Sequence, residues 1–183
     1  MDRRTLLKAL AAFPLAGPVL AAPPKTMSDI KTLQENWKAF LPAGVQVPAP
    51  SEPLKLSNDE WRKRLPKESF QVLRKEATER AGTSPLNAEK RPGVFVCAGC
   101  DLPVFTSEMK FESGTGWPSF FTTIPGAFET KKDFYLIYAR TEYHCARCGG
   151  HHGHVFDDGP APTGLRYCNN GVALKFVPKA AKA

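Results

Sequence analysis

Spacing divides the five cysteines of this chain into two kinds of chemistry. Cys97-Ala98-Gly99-Cys100 and Cys145-Ala146-Arg147-Cys148 are Cys-x-x-Cys pairs, whereas Cys168, in "RYCNNGVALKF", stands alone. A Cys-x-x-Cys pair sets two sulfurs at one end of a tight turn, and two pairs complete a four-thiolate shell for one tetrahedral ion. The pairs are 44 residues apart, so an ion would close a long loop between distant turns. A structural Zn2+ or iron site, one per chain, leads the readings. Two disulfides would suit an oxidising compartment, but each would close a tiny loop and stabilise little. A thioredoxin-like redox pair belongs at a strand-to-helix turn in a βαβ setting, which the surrounding sequence lacks. Four thiolates leave no open position for substrate, so the metal is read as structural.

Cys168 then asks for another role. On a strand, the period of two sets Arg166, Cys168 and Asn170 on one face. A guanidinium two positions away favours the thiolate, which is the reactive form. A lone cysteine is more often a small buried hydrophobe, and spacing alone does not overturn that. The preceding run "GGHHGHVFDDGP" (Gly149 to Pro160) shifts the balance, because it packs three of the four histidines and two aspartates into a turn-rich stretch. His151, His154 and Asp158 are either a second metal site or an acid/base with a carboxylate partner for the cysteine. His152 reads as a solvated loop histidine.

These residues need positioning elements. Ser57 with Glu60 three residues later is a capping box, predicting a helix that carries Trp61 and Leu65. Pro66 suits the first turn of a second helix, through Phe70 and Leu73 towards Arg80, with Gly82 as terminator. Ahead of them, Ile30, Leu33, Trp37 and Phe40 fall at helical spacing within a proline-rich stretch, residues 22–53, read as a tether or strap on the domain. Beyond Arg91 the pattern changes to short strands, clearest in "GVFVC" (Gly93 to Cys97), "FYLIYAR" (Phe134 to Arg140) and "VALKFV" (Val172 to Val177). The expected fold is mainly β (α+β): antiparallel sheets forming a zinc-clipped domain with a small helical N-terminal cap.

Three long motifs in order, "SGTGWPSF" (Ser113 to Phe120), "CARCGGHHGHVFDDGP" and "GLRYCNNGVALKF", resemble the peptide-methionine (R)-S-oxide reductase family, methionine sulfoxide reductase type B. The resemblance covers roughly residues 54–178, leaving 179–183 as a tail. It implies that Cys168 is the catalytic nucleophile and that His154 and Asn170 form its polar shell, with His151 and Asp158 at related positions. It implies that Trp117 is the aromatic wall for the substrate's S-methyl group, and that Cys97, Cys100, Cys145 and Cys148 bind zinc. The expected reaction is reduction of the R epimer of methionine sulfoxide in oxidised proteins or peptides. His154, directly or through water, supplies a proton, Arg166 favours the thiolate, Asn170 holds the sulfoxide oxygen or a water, and Cys168 becomes a sulfenic acid. Some members carry a resolving cysteine in the "SGxGWPSF" motif, where this chain has Thr115. With four cysteines on zinc, an external thioredoxin-like protein or small thiol must complete the cycle.

Composition bounds the alternatives. The 183 residues carry 42% hydrophobic and 23% charged residues and a net charge of +7, which suits a globular domain. "MDRRTLLKALAAFPLAGPVLA" has a basic start and a short apolar run ending in small residues, which predicts an export signal over residues 1–21, with Arg3-Arg4 and Lys8 hinting at the twin-arginine type. Cleavage after Ala21 would lower the net charge to about +5, modest for a nucleic-acid binder. The expectations are therefore a periplasmic or exported protein, no nucleic-acid partner and no stable membrane insertion after cleavage.

Overall fold

The computed structural model describes residues 26–133 and 140–179, so the expected export signal and nearly all of "FYLIYAR" lie outside the described residues. Helix α2 (Asn58–Arg64) begins at the capping box, with Ser57 N–H donating to Glu60 at 2.7 Å and Glu60 N–H returning to the Ser57 hydroxyl. It buries Trp61. After Pro66, α3 (Lys67–Lys75) buries Phe70, Val72 and Leu73. This helix stops short of the expected end. Glu76 turns left-handed at φ 55°, and Ala77 N–H reaches back to the Gln71 carbonyl at 3.1 Å. Residues beyond it are claimed by tertiary bonds, described below, that a helix could not also make. Gly82, expected as the helix stop, instead donates its N–H to Gly116 at 2.7 Å.

Two antiparallel sheets follow. Strands β1 (Gly93–Cys97), β2 (Pro103–Thr106) and β9 (Leu174–Pro178) form a three-stranded sheet in the order β2-β1-β9. The larger sheet contains β3 (Lys110–Phe111), β4 (Ser119–Phe120), β5 (Phe128–Asp133), β6 (Arg140–Cys145), β7 (His151–Phe156) and β8 (Arg166–Asn169), ordered β3-β4-β8-β7-β6-β5. The mainly β, antiparallel class is as expected. Aromatic rings from both sheets meet in the core: Phe105 stacks on Phe120 at 3.8 Å between centroids, and Phe95 meets Phe120 edge-on at 5.1 Å. Such pairs add roughly 0.5–1.5 kcal/mol each beyond area burial.

The N-terminal segment is laid on this core. A capping box at Thr26 and Asp29 opens α1 (Met27–Glu35), and a 3-10 turn, Trp37–Phe40, continues it, so the single helix expected over residues 30–40 is two shorter elements. Leu33, Trp37, Phe40 and Leu41 pack against the core, and Gln34 donates to Thr122 at 2.8 Å. Further along, Leu54 N–H donates to the Arg147 carbonyl at 2.8 Å.

Candidate active site and metal centre

Cys168 lies on β8, an interior strand of the larger sheet. Its partners in register are Ser119 on β4 and His154 on β7. Directly opposed residues on antiparallel strands share a face, with Cβ atoms about 4.5–5.5 Å apart, so the backbone brings the thiol and the imidazole together. Close approach of these strands requires Gly153: a Cβ there would stand 2.0 Å from the Cys168 carbonyl oxygen. A cavity of about 160 Å³ opens above the pair, with Trp117, Asn170, Thr78 and Arg140 also on its walls. That space suits one side chain rather than a large ligand.

Burial of the Cys168 thiol pushes its pKa up; Arg166 and Thr115 pull it down by charge and hydrogen bonding without cancelling that effect. Arg166 favours the thiolate, as expected from sequence, but the net direction is upward, because desolvation penalises the anion more than one neighbouring cation rewards it. Arg166 is divided between two tasks. Its guanidinium grips Asp158 in a bidentate pair at 2.8 and 2.9 Å and lies 4.3 Å from the Phe156 ring centre. Asp158 therefore meets the site through Arg166 and is not on the cavity wall.

His151 is buried and bonds Glu142 through Nδ1 at 2.8 Å, and its ring meets that of His154 edge-on at 5.5 Å. Burial alone would push the Glu142 carboxyl up; Lys131 and His151 outweigh it and hold the group below its usual value. Glu142, 3% exposed, orients the histidine pair, a role the sequence reading missed. Its neighbours on β6, Arg140, Thr141, Tyr143 and His144, are mostly polar and offered no signal that this carboxylate is buried. His152 is a correction. The supposed solvated histidine is fully buried, donating through Nδ1 to Asn169 at 3.1 Å and packed edge-on against Phe128. The run is a central strand covered on both faces, so neighbouring residues of either parity are buried.

Asn170, 4% exposed, lines the cavity while its side chain is tied down. Its Oδ1 accepts Glu79 N–H at 2.9 Å, and its Nδ2 donates to the His152 carbonyl at 2.9 Å, using one of its two N–H groups. Glu79 is the second residue the sequence reading missed. Its carboxylate accepts N–H groups from Gly171 and Val172 at 2.7 and 2.9 Å, and its carbonyl accepts the Trp117 indole N–H at 3.1 Å. These bonds make residues 171–173 a 3-10 turn, so β9 starts at Leu174 and not at Val172 as expected.

The two Cys-x-x-Cys turns belong to different sheets. Cys97 and Cys100 sit between β1 and β2; Cys145 and Cys148 sit between β6 and β7. All four are buried, and their sulfurs lie within 4.8 Å of one another. The sulfur pairs Cys97–Cys148 and Cys100–Cys145 are 3.7 and 3.5 Å apart. A disulfide needs ~2.05 Å, whereas a tetrahedral ion with ligand bonds of ~2.3 Å sets its sulfurs ~3.8 Å apart. The geometry fits a metal ion. Arg74 and Arg147 brace the turns, donating to the carbonyls of Cys148 and Cys100 at 2.8 and 2.9 Å. Among the described residues, the histidines form no second group of this kind.

A model of the SelR domain matches residues 65–178. The chain belongs to the SelR domain family. Among its SelR relatives, the chain is 49% identical over 158 residues to "Peptide methionine sulfoxide reductase B1, chloroplastic" of Arabidopsis thaliana, covering 86% of this chain and 78% of that one. It is 48% identical to "Peptide methionine sulfoxide reductase MsrB" of Agrobacterium fabrum (strain C58 / ATCC 33970), over 67% of this chain and 91% of the other. The protein of the same name from Pseudomonas putida (strain W619) is 51% identical over 66% of this chain and 92% of its own. In this SelR chain, Trp117, His154, Cys168 and Asn170 converge on one cavity, while His151, Asp158 and Arg166 are not on its wall.

Proposed function

We infer that this SelR protein is a peptide-methionine (R)-S-oxide reductase, an oxidoreductase that returns oxidised, peptide-bound methionine to methionine by a thiol-dependent route. The observation that carries the reading is the pairing of Cys168 with His154 across β8 and β7, at the floor of a cavity walled by Trp117.

The sulfoxide side chain enters with its methyl group against Trp117 and its oxygen towards His154 and Asn170. Exchanging methyl and oxygen, as in the other epimer, would press a polar oxygen on the indole and leave the polar wall without a partner. The Cys168 thiol supplies both the nucleophilic sulfur and a proton. As sulfur attacks sulfur, the thiol proton passes through His154 to the sulfoxide oxygen. The hydroxyl then passes from the methionine sulfur to the Cys168 sulfur as the substrate S–O bond and the transient S–S bond break, and methionine leaves with its sulfur reduced by two electrons. Cys168 holds the oxygen as a sulfenic acid. Arg166 and Thr115 stabilise the negative charge that grows on Cys168 during this transfer. Glu142 keeps His151, and through it His154, in place.

Cys97, Cys100, Cys145 and Cys148 hold one structural zinc ion in this reading, supported by their spacing and all-sulfur donor set. When bound, zinc supplies cross-linking between the two sheets and keeps four thiols out of redox chemistry. The fifth cysteine is then without an internal thiol partner. Two thiols from a thioredoxin-like protein or a small-thiol reductant reduce the sulfenic acid, giving Cys168 thiol, water and an external disulfide. Residues 1–21 support export to the periplasm by a twin-arginine signal. No described helix is long and apolar enough to cross a membrane. In this reading the partner is oxidised polypeptide, not nucleic acid.

The deciding experiment is a stereospecific assay on a peptide R-sulfoxide. Wild type is expected to turn over with an external thiol, and Cys168→Ser is expected to be inactive. An unchanged rate in Cys168→Ser ends the proposed mechanism.

A further inference from the structure

A second cavity adjoins the catalytic one. It encloses about 530 Å³ between α3 and the segment that follows it. Thr78 lines both cavities. The floor of the second is apolar, with Val72, Ala77 and Val172, and its rim carries Lys67, Arg80 and Glu68. The Glu79 carboxylate also borders this groove, but it is occupied by the N–H groups of Gly171 and Val172.

We propose that this groove binds the residues flanking the oxidised methionine in a substrate polypeptide, with preference for an acidic flank. The proposal rests on the reductase reading above and adds what that reading leaves open, where the rest of the chain goes. Four observations support it. The catalytic cavity has room for one side chain, so the backbone of a polypeptide substrate must leave across its rim. The groove adjoins that rim at Thr78, and 530 Å³ holds a few extended residues. Lys67 and Arg80 are exposed and form no ion pair among the described residues, so both are open to a carboxylate on a flank, whereas the Glu79 carboxylate is turned to backbone N–H groups and Glu68 is the one carboxylate on the rim without a hydrogen bond. The segment 76–83 is fixed by Glu79 to Asn170 and Trp117, so the groove is preformed and costs little ordering on binding.

The test compares a capped single residue, N-acetyl-methionine-(R)-sulfoxide amide, with nine-residue peptides carrying a central methionine-(R)-sulfoxide and acidic, neutral or basic flanks. Wild type is expected to show a higher kcat/KM for the acidic-flanked peptide than for the basic one or the capped residue, through KM. The double variant Lys67→Glu with Arg80→Glu should raise KM for the acidic peptide about three- to tenfold and reverse the flank preference. It should leave kcat and the capped residue unchanged. Gln71→Trp, which fills the groove from the exposed face of α3, should raise KM for all peptides alike. Equal kcat/KM for peptides and capped residue in wild type, or peptide KM values that the variants do not move, overturns the groove proposal while the reductase reading stands. No turnover of any sulfoxide by wild type overturns both.

Discussion

At the scale of single residues, Cys168 shows how far type and spacing reach. Its isolation from the paired cysteines was legible in the sequence, and so was its shared strand face with Arg166. Its protonation state was not, because burial is a property of the whole fold and here outweighs the nearby guanidinium. Alkylation of Cys168 by iodoacetamide in the metal-loaded protein is therefore expected to accelerate with pH, with an inflection above the ~8.5 of a free thiol. An inflection near neutrality would mean that Arg166 prevails. His152 was misread for a similar reason, since nothing in "GGHHGHV" distinguishes a core imidazole from a loop one. Burial holds its pKa down to about 4 in the fold, against 6.5 in the open chain. Between those values the unfolded state binds more protons. Stability is thus full above pH 6.5 and falls by roughly 3 kcal/mol as pH drops towards 4. Denaturant titrations across this range should show that slope, and His152→Phe should flatten it.

Local elements divide into those written in adjacent residues and those imposed from a distance. The capping box at Ser57 and Glu60 needs only four consecutive residues, so α2 could be read directly. The end of α3 could not. Its helical pattern continues past Lys75, but Glu79 is drawn away to hold Asn170, Trp117 and the turn at Gly171. That segment is a brace between helix and site. Glu79→Ala is expected to lower stability by about 1–3 kcal/mol, because two N–H groups lose their acceptor. It should also lower kcat/KM for any sulfoxide, since both cavity walls lose their support. Thermal unfolding and the peptide assay check both, and a variant with wild-type activity would make the brace dispensable. The metal turns behave similarly: their ligands were legible from Cys-x-x-Cys spacing, whereas the braces from Arg74 and Arg147 were not.

For the whole molecule, the four-cysteine centre joins two sheets that otherwise meet through their core rings. The sequence pointed to a metal clip between distant turns; that the turns belong to separate sheets follows only from strand order. Cys97→Ser is expected to lose zinc and melt at markedly lower temperature, since removing a ligand leaves a buried polar cluster uncompensated. Cys168→Ser, on the other side of the fold's chemistry, should melt near wild type. Metal analysis alongside thermal unfolding checks both, and a Cys97→Ser protein with full zinc content and an unchanged melt would remove the clip from this account.

The position of β8 between β4 and β7 has one more consequence. A nucleophile hydrogen-bonded into the middle of a sheet cannot swing out to find a partner, as one on a loop tip could. In the proposed cycle the oxidised sulfur waits where it was made, and every second half-reaction is a collision with a solute. The steady-state rate should then rise in direct proportion to the reductant over a wide range before it saturates. Under scarcity, the pace of repair would follow the supply of thiols around the protein and not the chemistry within it.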